Sequence, residues 1–493
     1  MKRINLIYTG LVSCLLLAFT ACSDYLDIND NPNYPSNVEP NTLLPSGIAG
    51  VAAEVGNHYQ LYGGLWMQHY TQNHVTNQYN SLCTYSISNA SDSRMWSIPY
   101  ANALPDLDLV IKKGEASGEW NYWAIAKVMT AFMYHVLVDS YGSIPFTEAL
   151  KADDGIYAPK FDDSKTVVYP GIIAMLDEVI AKSGELSAPG LPVISIQDYV
   201  FGSSKNTDMT KWVAFAKSLK LKLLMRDFNA NKSSIEALLN DELLTVDAKM
   251  DVFQDLENKS NPLYENDRRK LNTPNNLNAC VTLCDYLKKY DDPRLTEFFN
   301  QNPDGSGITG LKYGDRPSSA TLPISAVSIA ILSPVDPVYF MSAAEVAFLK
   351  AEAYARLGNV AKAKEAYNDA VTKAFERWNK DASTFIADGG AYAFDSKDLN
   401  SMLTCILTQK WIASTRCQAW DAWFDFNRTG IPALGSKHVD EDGYVFGQLT
   451  PCTGSALGAG EFPRRLLYPK TSSDNNPNTP EVIPLAEKQW WHK

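Results

Sequence analysis

The stretch from Tyr339 to Trp378 constrains the fold more than any other part of the chain. In FMSAAEVAFLKAEAYARLGNVAKAKEAYNDAVTKAFERW, small and aromatic residues recur as Ala351, Tyr354, Gly358, Ala363, Tyr367 and Ala370. Two helices that approach closely need small side chains at their crossing and a large ring to fill the space beside it. Gly358 stands where the first helix must end and the chain reverse. The result is a helix hairpin with an apolar face it cannot bury alone, so the rest of the chain must supply neighbours.

This spacing matches the tetratricopeptide pattern without its usual closing proline. Weaker copies occur elsewhere. Trp123 to Tyr141 is a long apolar helix stopping at Gly142, with a second helical pattern from Val167 to Ile180. Trp212, Phe215, Ala216, Leu219 and Leu223 fall on one helical face, and Ser233 to Leu243 can partner them. Helix hairpins are therefore expected at about 121–180, 211–243, 339–378 and 399–424. Alternating strand patterns are scarce, and Thr321 to Leu332 offers at most a minor sheet or a loop. The fold class is mainly α: a tetratricopeptide-like helix-hairpin scaffold with long irregular loops. Those loops, such as 71–96, 301–336 and 430–481, are too long to be mere connections and are expected to do the recognising.

With 493 residues, 45% hydrophobic and 20% charged, the chain is globular rather than disordered. A net charge of −12 with no basic block lacks the electrostatic footprint of a nucleic-acid binder. Aromatic residues make up 11% of the chain, which suits helix packing or a polar-tolerant binding surface.

The first residues, MKRINLIYTGLVSCLLLAFTAC, join Lys2 and Arg3 to a short apolar run and then to Cys22. That run is too short to span a bilayer and has the form of a secretory signal. The site resembles a lipobox, with Phe19 where Leu is usual. Residues 1–21 are expected to be removed and Cys22 lipidated. Residues 22–45, rich in Asn, Asp and Pro, read as an extended tether to the domain at 46–493. The six later cysteines, Cys83, Cys280, Cys284, Cys405, Cys417 and Cys452, are an even number that permits disulfides a chain this long does not need. Cys280 and Cys284, four apart in a helix, read as core thiols rather than a metal pair.

No G-x-S-x-G, H-E-x-x-H or P-loop pattern is present. His58, His69 and His74 read as helix-face and loop-edge imidazoles rather than a zinc set. The adjacent acids Asp153–Asp154 and Asp162–Asp163 read as solvated loop residues rather than a glycosidase pair. Neither a catalytic residue, a metal site nor a cofactor is expected. Holding sugar rings requires aromatic platforms and amide or carboxylate partners. The segment QHYTQNHVTNQYNSLCTYSISNASDSRMW supplies Tyr70, Tyr79, Tyr85 and Trp96 with Asn73, Asn77 and Gln78, and is the expected ligand loop. Tyr79 and Tyr85, flanked by polar residues, are expected to be exposed. Trp96, at the start of a helical stretch, is weighted toward core packing.

Several segments in order resemble the SusD/RagB family of nutrient-binding outer-membrane lipoproteins of Bacteroidetes, in its SusD-like branch. They are CSDYLDINDNPN from Cys22, YGGLWMQHY from Tyr62, DSYGSIPFTEAL from Asp139, WVAFAKSLKLKLLMR from Trp212 and AEVAFLKAEAYARLG from Ala344. QKWIASTRCQAWDAWFDFNRTGIP from Gln409 and FPRRLLYP from Phe462 complete the series. The resemblance implies four tetratricopeptide-like units and a non-catalytic protein on the cell's outer membrane, lipid-anchored and facing outward. It implies a nutrient ligand, most often an oligosaccharide, delivered unchanged to a SusC-like TonB-dependent transporter. A peptide-binding member, a pure interaction scaffold and a secreted glycoside hydrolase are the alternatives.

Overall fold

Pro40 pre-sets the first helical turn of α1 (Pro40–Glu54), where its missing N–H costs nothing. A π-helical segment, Val55–Tyr59, carries the same rod into α2 (Gln60–Trp66). The structure, a computed structural model, describes residues 38–91, 93–273, 275–314 and 321–493. The expected signal segment, the expected lipidation at Cys22 and the expected tether as far as residue 37 lie outside the described residues.

The remaining long helices follow along the chain. They are α3 (Leu104–Ser117), α4 (Trp120–Tyr141), α5 (Tyr169–Ala181), α6 (Met209–Leu224) and α7 (Phe228–Leu238). After them come α8 (Val281–Lys289), α9 (Ala343–Arg356), α10 (Val360–Glu376), α11 (Leu399–Ala413) and α12 (Ala419–Thr429). The helix pairs expected from spacing are present as α4/α5, α6/α7, α9/α10 and α11/α12. Further pairs that were not among them also pack closely, α3/α4 most of all and α5/α6 after it among consecutive helices.

In the α9/α10 hairpin Ala351, Ala363, Tyr367 and Ala370 are fully buried, as a close crossing demands. Gly358 takes φ +79°, a left-handed turn that glycine enters without steric penalty. Asn359 then caps α10, its side chain accepting from the Lys362 N–H. Helix α4 is apolar on nearly every side and buried along its length, so it lies at the centre of the scaffold. The rod α1–α2 closes against the far end of the sequence: a Cβ on Gly63 would sit 2.3 Å from the backbone of Ala419 and Trp420. Only glycine permits that approach.

Buried charges tie the helices together in pairs. Lys410 reaches Asp425 at 2.6 Å and Asp421 at 3.2 Å, and Lys222 reaches Asp421 at 3.2 Å and also pairs with Glu345. Arg226 binds Asp139 at 2.6 Å. Burial opposes ionisation of both Glu345 and Asp421. At Asp421 the two lysines overcome it and hold the carboxyl well below its usual range. Glu345, buried and repelled by Asp421, is pushed up to about 7.

Strands are few and short. β1 (Tyr70–Gln72) pairs antiparallel with β3 (Leu277–Ala279), and β2 (Ala248–Met250) with β4 (Val338–Met341). The segment from Thr321 to Leu332 is a loop with a 3₁₀ turn, Ile324–Ala326, and isolated bridges from Ile329 and Ala330. The six cysteines after Cys22 are free thiols, and Cys83, Cys280, Cys284 and Cys417 are buried.

Candidate ligand-binding site

The loop expected to bind ligand turns its rings inward. Tyr70 lies in β1 and is wholly buried. The Tyr79 hydroxyl donates to Asp267 at 2.6 Å, and its backbone N–H donates to Gln72 Oε1. Tyr85, at φ +57°, packs between Tyr313 and Phe462, with ring centroids 6.2 and 5.5 Å away. The expected exposure of Tyr79 and Tyr85 is therefore corrected: both rings are core, only 6% and 4% accessible. Their polar neighbours do face water, Asn77, Gln78 and Ser86 among them, which is why local polarity misleads. Asn73 is also buried, its Oδ1 accepting the Val75 N–H at 2.7 Å in a side-chain-closed turn.

The three N-terminal histidines part company. His58 Nδ1 meets Glu54 at 2.9 Å, His69 Nε2 meets the Trp411 carbonyl at 3.1 Å, and His74 Nε2 meets the Leu322 carbonyl at 2.8 Å. Among the described residues, no three His, Cys, Asp or Glu side chains are grouped to hold a metal ion. Of the adjacent acids, Asp162 is buried and accepts from the Thr147 N–H at 2.7 Å, and Asp163 caps the segment Ser164–Val168.

Trp96 is the sequence-predicted residue that reaches a large hollow. It borders a cleft of about 1030 Å³, the size of a pocket for an extended ligand. The short helix Arg94–Ile98, the π-helical segment Pro99–Ala103 and the start of α3 form one side. The loop 145–159 and α13 (Lys470–Asn475) complete it. Trp96 is held rigidly, stacked on Phe161 at 5.7 Å and edge-on to Tyr141 and Tyr468. Tyr100 tilts against it at 5.1 Å, its hydroxyl donating to the Pro145 carbonyl at 2.8 Å.

Tyr157, 79% exposed, supplies a ring that no core contact consumes. Asp106, Glu148, Asp153 and Asn476 add hydrogen-bonding groups to the lining, and Lys112 pairs with Asp108 at 2.7 Å. Fixed ring faces beside carboxylates and amides can take the C–H face and hydroxyl edges of a sugar. Sequence reasoning missed Tyr100 and Tyr157. The available signal for Tyr157 was a lone ring set among turn formers in DDGIYAP.

A paired-helix platform presenting an open, aromatic-floored cleft defines the class of protein. Residues 32–469 match the SusD-like family described as "Starch-binding associating with outer membrane", and the chain belongs to that family. The fold recurs in solved structures. A SusD homolog from Bacteroides uniformis is 24% identical, with a TM-score of 0.74 over 92% of this chain and 99% of that one. A chitin-binding SusD homolog from Flavobacterium johnsoniae is 19% identical, with a TM-score of 0.73 over 91% and 98%. A SusD/RagB family protein from Bacteroides thetaiotaomicron is 22% identical, with a TM-score of 0.70 over 92% and 99%. A search of curated proteins by sequence finds no match.

Proposed function

We propose that this chain is an outer-membrane lipoprotein, anchored through Cys22, that captures an oligosaccharide outside the cell. It holds the sugar in the Trp96 cleft and passes it unchanged to a SusC-like TonB-dependent transporter. Membership of a family described as starch-binding and outer-membrane-associated carries the reading. The cleft supplies what such binding needs: preorganised rings at Trp96 and Tyr100, a solvent-facing ring at Tyr157, and polar groups that exchange water for sugar hydroxyls. Asn77 and Gln78, exposed on the preceding loop, do not line that cleft. No described helix is long and apolar enough to cross a membrane, in keeping with a lipid tether. Because binding leaves the sugar's bonds intact, its role is concentration and hand-over rather than turnover.

The carboxylates Asp106, Glu148 and Asp153 favour one second reading, a basic peptide as cargo. Calorimetric titration of the purified protein against starch oligosaccharides, chitin oligosaccharides and basic peptides separates the two. The account expects saturable binding of a sugar series that Tyr157→Ala weakens. Binding of peptides alone would replace it with the second reading. Co-purification with a TonB-dependent barrel expressed beside it tests the hand-over.

A further inference from the structure

A second hollow of about 460 Å³ opens where α8, the start of α11 and the loop 445–448 meet. It shares no lining residue with the Trp96 cleft. We propose that it is a second carbohydrate pocket, one that takes a short, uncharged sugar chain. The proposal borrows its ligand class, and nothing else, from the oligosaccharide reading of the cleft.

The wall is backed by rings fixed in advance: Tyr286 and Tyr392 are largely buried behind it, and Tyr290 and Phe446 are the more open ones. Tyr286 and Tyr392 lie nearly parallel, 4° apart with centroids at 6.4 Å, and Tyr290 meets them edge-on at 4.9 and 5.7 Å. The Tyr392 hydroxyl donates to Asp292 at 2.7 Å, and the Tyr367 hydroxyl donates to the Tyr392 carbonyl at 2.8 Å. Those bonds hold the rings where they stand, so a ligand need not order them. At the mouth Phe446 is 36% exposed, with the Lys289 ammonium 4.2 Å from its ring centre.

The polar lining chooses the ligand. Asn400, Ser401 and Thr404 come from the first turns of α11, with Thr408 one turn further and Gln448 from the loop. Asp395 is the one charged residue of the lining, and no Lys, Arg or His belongs to it. Two ammonium groups touch the lining from outside it, Lys289 over the Phe446 ring and Lys397 at 3.5 Å from Asp395. The lining itself offers hydroxyls, amides and one already paired carboxylate beside apolar rings, which match the groups of a neutral sugar. Two pockets on one chain would let a polymer bind twice, raising avidity without a new contact type.

Native mass spectrometry of the purified protein, titrated with short maltooligosaccharides and N-acetylglucosamine oligomers, counts the bound ligands. The expected result is two per chain. Thr404→Trp, which fills the pocket from an exposed helix position, should remove one and leave the other. Phe446→Ala, on an exposed loop, should weaken the same event roughly three- to tenfold. Tyr157→Ala should weaken only the remaining event.

A single bound sugar unaffected by Thr404→Trp and Phe446→Ala overturns the second pocket and leaves the cleft reading standing. A single sugar lost with Thr404→Trp and indifferent to Tyr157→Ala sustains the pocket and overturns the cleft. Binding of neither series overturns both.

Discussion

The guanidinium of Arg428 grips the Glu352 carboxylate with two nitrogens, at 2.6 and 2.7 Å, joining α12 to α9 inside the scaffold. Both side chains are buried, and Arg356 approaches the same carboxylate at 2.7 Å. Burial opposes the Glu352 charge, but the two arginines outweigh it and hold the carboxyl well below its usual range. Glu352→Gln leaves Arg428 buried with its main counter-charge removed. The expected loss is roughly 3–5 kcal/mol of stability, read by urea denaturation, with sugar binding at the distant cleft unchanged in whatever fraction remains folded. A loss below about 1 kcal/mol would place the pair on an effectively solvated surface.

Tyr79 tests the inward turn of the loop. Tyr79→Phe deletes the hydroxyl that donates to buried Asp267 and should cost roughly 1.5–3 kcal/mol, the range for a hydrogen bond to a charged group. Tyr85→Ala empties a site between Tyr313 and Phe462 and should cost roughly 3–5 kcal/mol, as large aromatic truncations do. Melting temperatures that stay put, with sugar affinity lost, would return these residues to the ligand surface.

Ala351 tests the helix crossing. Its side chain has no accessible surface, so Ala351→Trp must displace neighbours in α10. A destabilisation of roughly 1–3 kcal/mol, or more where the backbone cannot shift, is expected. An unchanged denaturation midpoint would mean that the crossing has room.

Acid sensitivity has an identifiable source in His69. Burial is the main cause and pushes the imidazole down to about 3, against the stabilising contact of Nε2 with the Trp411 carbonyl. The unfolded chain takes a proton near pH 6.5 that the folded ring refuses. Stability from this group is present above that value and is lost as pH falls toward 3. His492, half-buried and beside Arg464, is pushed down to about 3 and adds in the same direction. Glu345, raised to about 7, opposes them, since its contribution fades as pH rises toward 7. His69→Phe should flatten the dependence between about pH 6 and pH 4 by as much as about 1.4 kcal/mol per pH unit. Equal slopes in urea titrations of the two proteins would contradict this assignment.

The helical scaffold was legible because its signal is local. The Ala–Tyr–Gly spacing of α9/α10 and the single apolar face of α6 each lie within a few turns, and the structure carries both. The stretch from Trp96 reads as helical and α3 begins within it at Leu104, but its own residues do not identify α4 as its partner. The binding loop was misread for the opposite reason. Whether Tyr79 faces water depends on Asp267, 188 residues away, and Tyr85 depends on Phe462; sequence neighbours carry none of that. Trp96 was weighted toward core on its helical context, and it is both: 7% exposed, yet part of the cleft floor.

The central claim is that a sugar occupies the cleft formed around Trp96, Tyr100 and Tyr157. Hydrogen exchange of the purified protein, with and without a saturating oligosaccharide identified by titration, tests it most directly. The account predicts slowed exchange in peptides covering residues 94–109 and 145–159, where the lining backbone becomes shielded. Saturating binding that leaves both segments exchanging at their free rates would contradict it.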